Sequence, residues 1–365
     1  MLVGQPKLLK EVNRDIIKDL IFQQGPITKP ELTRKTNLSL PTVNKIVDGL
    51  EEDGIIRQDG MTGSSSGKKA RVYVANENFG NIIVLYYLDG YFRGYLVNAV
   101  GSVIRELTEP VDASTGESAL ECIWTLIEQL KCGSEANVRA IGIGVPGAVK
   151  SDKRVTNITA VPGWNNLKLE ELVAERYSLP VFVENDVKLT TVGYYHAHLE
   201  KTCRDMIYLY IGKGIGSGVI IDGGLHKGFS SFAGEFGYLA PFEDQGNGDY
   251  ARGGGWFEDE LQGLLYQKDR ADSADAASSK YIHYMVSGMI SYIVTINPEV
   301  MVLQGRWFRE ETVQRIREEL KRFIPEESLP QIFVNSDETC GVNGLINFCL
   351  SGLSTSRELV RKRSI

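Results

Sequence analysis

Cysteine and histidine are both scarce in this chain of 365 residues. Five cysteines, scattered along the sequence, are too few to form the disulfide framework of a small secreted domain. We therefore expect a reducing, cytoplasmic location. We predict that the four histidines are surface or packing residues rather than metal ligands: His196, His198, His226 and His283.

Long apolar runs are also missing. No run approaches the ~18 residues that a membrane span needs, and the mean hydropathy is −0.15. The N-terminal stretch 1–15 lacks the apolar core and small-residue cleavage site of a secretion signal, so we expect no membrane partner. With 42% hydrophobic and 24% charged residues, the composition is typical of globular proteins, and the length predicts two or three domains.

Charge is unevenly distributed along the chain. Residues 1–75 hold 12 Lys and Arg against 9 Asp and Glu, whereas the remaining residues hold 28 against 38. A basic N-terminal segment followed by an acidic remainder indicates two parts with separate functions. An excess of three positive charges is small, so it does not by itself establish nucleic-acid binding.

The head, residues 1–76, has the pattern of a winged helix-turn-helix. Apolar spacing predicts helices over 13–23, 28–35 and 39–50, and alternation predicts strands at 55–57 and 72–74. Thr28-Lys29-Pro30-Glu31 has the form of a capping box. The third helix buries one face, and its other face offers the donors and acceptors that base edges require. Basic residues follow the Gly- and Ser-rich wing loop, as a phosphate contact requires.

We therefore expect the following residues to contact DNA: Ser39, Pro41, Thr42, Asn44, Lys45, Lys68, Lys69 and Arg71. The alternative is a small helical bundle with a solvated, charged loop. The order of helix, short helix, tight turn, helix and basic hairpin favours DNA binding. Two recognition helices related by a two-fold axis would meet successive major grooves ~34 Å apart, so we expect a homodimer on a palindromic operator, with pairing into tetramers left open.

The body, residues 81–365, alternates strand and helix patterns, which predicts an α/β architecture with two lobes. Five segments stand out in order: Gly144–Val149, Val161–Asn165, Val183–Asp186, Gly212–Gly218 and Ala233–Tyr238. Their order and spacing resemble the ROK family of sugar kinases and sugar-responsive repressors. The resemblance covers nearly the whole chain, because repressor members also carry an N-terminal winged helix-turn-helix. It implies an actin-like, ribonuclease-H-like two-lobed fold for the body.

A sugar ring presents hydroxyls that both donate and accept, so its site needs converging carboxylates and amides. In family kinases the aspartate matching Asp186 is the base, and the residues matching Asn185, Glu235 and Glu258 bind the sugar. The sugar site that we predict consists of Asn165, Glu184, Asn185, Asp186, Glu235, Tyr238 and Glu258. The alternative is structural: Asp186 caps a helix and Asn185 satisfies a turn. For Trp164 the sequence leaves two positions open, the hydrophobic core and the lining of the sugar pocket.

The phosphate-binding segments depart from the kinase pattern. Kinase members begin the body with Asp-x-Gly-Gly-Thr, but the matching stretch here is Leu85–Phe92, in which bulky aromatics crowd the backbone amides. The second segment reads Gly212-Lys213-Gly214, and the third has Gln304 where a glycine is common. Phosphoryl transfer depends on positioning and charge stabilisation, so we predict that the chain is not an enzyme and that Asp186 is a vestigial base.

The family's structural zinc signature is missing as well. Tyr238 stands at its histidine position, and Asp249, Ala251 and Trp256 replace its three cysteines. Without thiolates or imidazole that segment offers no tetrahedral ligand set, so we expect no metal and no cofactor.

The sequence thus predicts a sugar-responsive transcription regulator, in particular a repressor of carbohydrate uptake or catabolism genes, with operator DNA and a sugar or sugar phosphate as partners. The sugar would bind between the lobes as inducer or as corepressor, both of which require different affinities for two states. The enzyme alternative is an ATP-dependent sugar kinase that also binds DNA. A third alternative is an adaptor whose pocket is vestigial and whose body binds a protein.

Overall fold

The computed structural model describes residues 6–62, 69–133, 137–200, 202–239, 255–268 and 274–363. The chain divides into two compact units. One comprises Met1–Ile83, Tyr95–Glu106 and Leu130–Arg139, and the other comprises Val84–Gly94, Leu107–Gln129 and Ala140–Ile365.

Helices and strands alternate along most of the chain. The helices are α1 Pro6–Gln24, α2 Lys29–Thr36, α3 Leu40–Glu52, α4 Gly116–Lys131, α5 Leu169–Tyr177, α6 Asp186–Tyr194, α7 Trp256–Lys268, α8 Ala274–Ile296, α9 Glu310–Leu320 and α10 Cys340–Arg363. The strands are β1 Ile27–Thr28, β2 Ile56–Thr62, β3 Ala70–Ala75, β4 Asn81–Leu88, β5 Tyr91–Asn98, β6 Val103–Pro110, β7 Val138–Val145, β8 Ala148–Val149, β9 Val155–Thr156, β10 Val181–Asn185, β11 Met206–Ile211, β12 Ile215–Ile221, β13 Gly224–Leu225, β14 Val300–Gln304 and β15 Gln331–Val334.

The head contains the three helices and the hairpin that the sequence predicts. Helices α1 to α3 pack around a core of buried apolar side chains from every helix, including Ile17, Leu32 and Val47. Strands β2 and β3 form the antiparallel wing hairpin. The short strand β1, which the sequence pattern does not reveal, pairs antiparallel with β3 and completes a three-stranded sheet.

The turn between α2 and α3 forms for local reasons. The Thr28 side chain accepts from the Glu31 backbone N–H, and the Glu31 carboxylate accepts from the Thr28 N–H at 2.8 Å, so the capping box is complete. Asn37 takes a left-handed conformation with φ 55° at the end of α2, a geometry that asparagine tolerates better than most residues. Ser39 then caps α3 through the Thr42 N–H.

The body contains two five-stranded sheets. One has the order β10-β7-β4-β5-β6, in which β10 runs parallel to β7 with Val181 opposite Ile141. The other has the order β13-β12-β11-β14-β15, in which β11 is antiparallel to β12 and parallel to β14. A large apolar cluster covers the second sheet, to which α7, α8 and α9 contribute buried side chains such as Leu261, Met285 and Val313. Mixed sheets covered by helices establish the α/β class.

Helices α6 and α10 cross at a distance that only glycine permits. A Cβ on Gly193 would lie 1.9 Å from the Cys340 carbonyl oxygen, and a Cβ on Gly344 would lie 1.9 Å from that of Leu189. The α6 backbone continues beyond Tyr194 as one π-helical turn, Tyr195–Leu199. The short strands β8, β9 and β13, the strand β15 and the helix α10 were not predicted from the sequence. None of the described helices has the length and apolarity of a bilayer-crossing segment.

Candidate functional site

A cavity of about 220 Å³ opens in the second unit. It lies where the carboxyl ends of β4, β7 and β10 approach the β11–β12 loop and the first turn of α7. Pockets for drug-sized ligands measure ~300–1,000 Å³, so this cavity suits a smaller molecule. Five of the residues that we predict to bind sugar line it: Asn185, Asp186, Glu235, Tyr238 and Glu258.

Asp186 stands at the first position of α6, facing the cavity. Its Oδ1 accepts from the Val187 backbone N–H at 2.8 Å and from the Asn185 amide at 3.0 Å. Burial raises the pKa of Asp186 to about 7, and the backbone hydrogen bonds only partly oppose this effect. A carboxyl group that is half protonated near neutral pH can either donate to or accept from a ligand hydroxyl.

Asn185 lines the cavity and also caps α6. Its Oδ1 accepts from the Lys188 N–H at 3.0 Å, and its amide donates to the Gly147 carbonyl at 3.0 Å. Glu184, one residue earlier, is buried with 3% of its surface exposed and does not line the cavity. One Glu184 oxygen accepts from the Asn185 N–H at 2.9 Å, and the other pairs with Lys227. Glu184 thus supports the strand end on which Asn185 stands.

Glu235 reaches the cavity because the residue before it is a glycine. Gly234 has φ +90°, and a Cβ there would lie 2.3 Å from the Ser217 carbonyl oxygen. Burial raises the pKa of Glu235, although the nearby Lys188 ammonium, 3.8 Å from Glu235 Oε1, opposes the shift. Lys188 is 1% exposed and donates to the Ser231 carbonyl at 2.8 Å. Sequence reasoning missed Lys188, because a lysine in a helix that also holds Asp186, Thr190 and Thr191 is ordinarily expected at the surface.

Glu258 extends from the first turn of α7 and fastens the β11–β12 loop. Its Oε1 accepts from the Ile215 N–H at 3.0 Å, and burial raises its pKa. One turn later, Gln262 donates to the Gly212 carbonyl at 2.9 Å. The carboxylate therefore holds the cavity wall in place and lines it as well.

Tyr238 contacts a part of the cavity that sequence reasoning did not find. Its hydroxyl accepts from the Asn157 amide at 2.8 Å, and both Asn157 and Thr159 line the cavity. The only sequence signal for these two is polarity in the loop before Val161. Asn165 does not line the cavity; its Oδ1 accepts from the Ile158 N–H at 3.3 Å.

Two further expectations concern Trp164 and the segment that matches the family's zinc site. Trp164 is fully buried, and its indole N–H donates to the Gly116 carbonyl at 2.9 Å, so it belongs to the core rather than to the pocket. Of the zinc segment, Asp249 and Ala251 lie outside the described residues. Trp256 begins α7, and its ring packs edge-on against Tyr284.

The stretch that matches the kinase phosphate loop is a tight hairpin. Asp89 and Gly90, with φ 53° and 88°, form a two-residue turn between β4 and β5, as Asp-Gly does in hairpins. The Asp89 carboxylate pairs with the Lys213 ammonium at 2.7 Å at the mouth of the cavity. In the second segment, the Gly212 N–H donates to the Gly214 carbonyl at 2.9 Å, and the Ile215 N–H donates to Glu258. These two amides are therefore occupied within the protein.

The exposed face of α3 carries the residues predicted to contact DNA. Val43, Ile46, Val47 and Leu50 are buried beneath it. Pro41 and Lys45 are exposed, and Thr42 and Asn44 are half-buried on the outer side. Ser39, Lys69 and Arg71 are exposed as well, whereas Lys68 lies outside the described residues. Helix α3 and the end of the wing thus present polar and basic groups to solvent.

Two family models match the chain. Residues 9–57 match the model described as winged helix-turn-helix DNA-binding, and residues 91–248 match the model of the ROK family. The chain carries a ROK family domain behind a winged helix-turn-helix. The family predicted from the five motifs is thereby confirmed, and so is the order of the two parts.

Relatives of this chain include several repressors. A xylose repressor from Caldicellulosiruptor bescii is 29% identical over 242 residues, which cover 65% of this chain and 60% of that protein. The xylose repressor of Bacillus subtilis is 28% identical, with 65% and 62% covered. An N-acetylglucosamine repressor of Escherichia coli O157:H7 is 25% identical, with 65% and 59% covered. These matches cover less than two thirds of the relatives' own lengths.

Solved structures establish the fold. A ROK family transcriptional regulator, a homologue of the Escherichia coli Mlc protein, has a TM-score of 0.72 at 20% identity and covers 95% of this chain and 98% of its own. A ROK hexokinase from Thermus thermophilus has a TM-score of 0.61 at 19% identity, covering 77% and 99%. The winged helix-turn-helix followed by a sugar-kinase-like body is therefore confirmed as the fold.

Proposed function

We propose that this chain is a sugar-responsive transcriptional repressor of carbohydrate uptake or catabolism genes that is not an enzyme. Residues 1–76 bind a palindromic operator as part of a homodimer, and residues 81–365 bind the sugar. The observation that carries the proposal is the presence, in one chain, of a helix-turn-helix with an exposed polar α3 face and of a small cavity with converging carboxylates. The similarity to repressors of xylose and N-acetylglucosamine use supports it.

The chemistry of the cavity supports a sugar as the effector. Asp186, Glu235 and Glu258 offer carboxylate acceptors in the cavity lining, and Asn157 and Tyr238 add an amide and a hydroxyl. A neutral ring with several hydroxyl groups can satisfy such a set. Among the described lining residues four carboxylates face one ammonium, Lys213, so a phosphate dianion would meet net repulsion. We therefore expect free sugars to bind more tightly than their 6-phosphates.

The phosphate-binding segments support the absence of catalysis. An N–H cradle for nucleotide phosphates needs free backbone amides, but the Gly212 and Ile215 amides are hydrogen-bonded within the protein. The Asp89 carboxylate stands at the mouth in an ion pair with Lys213. The ion pair engages the Lys213 ammonium, the one positive charge that this segment could offer to a nucleotide phosphate.

One observation favours the kinase as a second candidate. Asp186 stands in the cavity with a pKa of about 7, which is the range that suits a general base at neutral pH. A coupled assay with ATP and a panel of monosaccharides separates the two functions. We expect no turnover above the background of the Asp186→Asn variant. Turnover that this variant abolishes would overturn the non-enzyme proposal.

Operator binding is the direct test of the regulator. Duplexes selected from a random library with the purified chain should be palindromic, and light scattering should give a dimer on them. Fluorescence anisotropy then measures operator affinity with and without xylose, glucose, N-acetylglucosamine and their 6-phosphates. At least one free sugar should change the affinity ~5- to 150-fold, either as inducer or as corepressor. If no sugar changes either operator affinity or thermal stability, an adaptor is the better description.

Paired variants separate the two sites. Asn44→Ala should weaken operator binding by ~1–3 kcal/mol and leave sugar binding intact. Glu235→Ala or Asn185→Ala should abolish the sugar response and leave operator affinity within twofold. Asp259→Asn, an exposed α7 substitution outside the cavity lining, serves as the control. A Glu235→Ala protein that still responds normally would show that the sugar binds elsewhere.

A further inference from the structure

Three potential metal ligands meet in the body beyond the Tyr194 end of α6, whereas Asp186, at the other end of this helix, lines the cavity. His198 lies in the π-helical turn that ends α6, and Cys340 begins α10. Asp337 lies in the loop between β15 and α10. The ring nitrogen, the thiol sulfur and the carboxylate oxygen that the three offer all lie within 4.8 Å of one another. None of the three lies in the segment that matches the family's zinc signature.

The surrounding protein fixes two of the three ligands. Asp337 Oδ1 accepts from the Thr339 N–H at 2.8 Å and from the Thr339 hydroxyl at 2.7 Å, which leaves Oδ2 facing Cys340. The Asn335 amide donates to the Tyr208 hydroxyl at 2.7 Å and holds the start of this loop on the second sheet. Cys340 is 1% exposed at the close crossing of α6 and α10. The carboxylate and the sulfur therefore keep their positions without a ligand.

The third ligand has room to move. The His198 side chain is exposed, and its ring lies 4.6 Å from the ring of Tyr194, one turn earlier. In a tetrahedral zinc site with bonds of ~2.0–2.3 Å, the ligand atoms stand roughly 3.3–3.8 Å apart. Cys340 Sγ and Asp337 Oδ2 are already 3.4 Å apart. A ring nitrogen of His198 lies within 4.8 Å of both atoms, and rotation of its exposed side chain would bring this nitrogen towards them.

We propose that His198, Asp337 and Cys340 bind a divalent transition-metal cation of the Zn²⁺ type. An imidazole, a carboxylate and a thiolate form a mixed N, O and S set that selects zinc over the oxygen-preferring Mg²⁺ and Ca²⁺. Binding releases the Cys340 proton to solvent, because the metal ligand is the thiolate. Solvent occupies the fourth position, on the side where His198 is exposed.

The site has a structural consequence for the sugar cavity. Helix α6 begins at Asp186 and leads into the turn that carries His198, so the cation would fasten the far end of the helix to the start of α10. It would thereby stabilise the packing of the element whose first residue faces the cavity. The role is stabilising rather than catalytic, since none of the three ligands lines the cavity.

Titration of the full, untagged chain after chelator treatment tests the proposal, with Zn²⁺ and Co²⁺ as the probes. Calorimetry should give one Zn²⁺ per chain, and Co²⁺ should give a near-ultraviolet thiolate-to-cobalt absorption band. Loss of a residue that only hydrogen-bonds to a metal ligand typically weakens metal binding ~10–100-fold. Loss of a direct ligand should cost at least as much, so His198→Ala and Cys340→Ser should each weaken Zn²⁺ binding at least ~100-fold. Cys340→Ser should also remove the cobalt band.

Matched controls come from the same chain. His196→Ala removes an exposed histidine from the same π turn, and Cys132→Ser removes an exposed thiol elsewhere; neither should change Zn²⁺ affinity. Should Cys340→Ser fail to fold, His198→Ala, at an exposed position, still decides the matter. Equal Zn²⁺ affinity in the wild type and His198→Ala, or a cobalt band that survives Cys340→Ser, would overturn the site.

Discussion

Replacing Asp186 by asparagine tests the electrostatics of the cavity. Asparagine keeps the Oδ1 that accepts from the Val187 N–H and from the Asn185 amide, so the local hydrogen bonds survive and only the charge is lost. Burial raises the pKa of Asp186 in the folded chain to about 7 from an ordinary value of 3.8. Folding therefore disfavours the charged form of this carboxyl.

The sign of the effect follows from this direction. A carboxyl whose pKa is raised by folding contributes stability that is fully present below its ordinary pKa and is lost as the pH rises through the folded value. The free energy of unfolding of the wild type should therefore fall between about pH 4 and pH 7. At about 1.4 kcal/mol per pH unit, a pKa raised from 3.8 to about 7 amounts to ~4 kcal/mol. Water in the open cavity screens the charge, so we expect ~2–3 kcal/mol.

Urea unfolding at half-unit intervals from pH 3.5 to 8.5, for the wild type and for Asp186→Asn, measures this difference. The two proteins should be about equally stable at the acid end, and the variant should be more stable by ~2–3 kcal/mol above pH 7. Asp259→Asn, an exposed substitution on α7, should follow the wild type throughout. A stability difference that is independent of pH would refute the assignment of a raised pKa to Asp186.

Three further predictions concern other parts of the chain. Lys188→Met should lower the free energy of unfolding by ~2–3 kcal/mol because it leaves the Glu235 carboxylate without its neighbouring positive charge. In thermal unfolding, adding Glu235→Gln should recover part of this loss; no recovery would contradict the interaction between Lys188 and Glu235. Lys45→Ala should reduce the salt dependence of operator binding by about one unit of slope, whereas Lys10→Ala, on α1, should leave it unchanged. Thr28→Ala should destabilise the head by ~1 kcal/mol through loss of the capping box, and Thr33→Ala, inside α2, should not; equal losses in denaturant titrations would exclude the cap as the cause.

Local sequence signals predicted the head well. The capping box at Thr28 and Glu31 and the Ser39 cap depend on residues three positions apart, so their geometry is readable from the chain alone. Strand β1 was missed because two residues carry no periodicity, and its pairing with β3 is a tertiary contact. For the body the sequence predicted the alternation of strands and helices, but the short strands β8, β9 and β13, the strand β15 and the helix α10 were not predicted.

The cavity was predictable only in part. Asp186, Glu235 and Glu258 were found through motifs. The hairpin at the mouth of the cavity also carries a local signal, the dipeptide Asp89-Gly90, but the comparison with the kinase phosphate loop left that signal unused. The polar partners Asn157 and Lys188 were missed because their roles depend on contacts with Tyr238 and Glu235, far away in the sequence. The cluster of His198, Asp337 and Cys340 escaped detection for the same reason. Sequence-distant pairs become visible only when the fold brings them together.

The close crossing of α6 and α10 at two glycines makes these helices a rigid pair within the body. At Gly193 and Gly344 the two backbones are in direct contact with no side chain between them. No side chain can therefore change rotamer there to accommodate a displacement of one helix against the other. A displacement of the Asp186 end of α6 would therefore move α6 as a rigid body together with the start of α10, because close-packed interiors transmit strain. Gly193 and Gly344 therefore couple the two helices mechanically, although neither glycine lines the cavity.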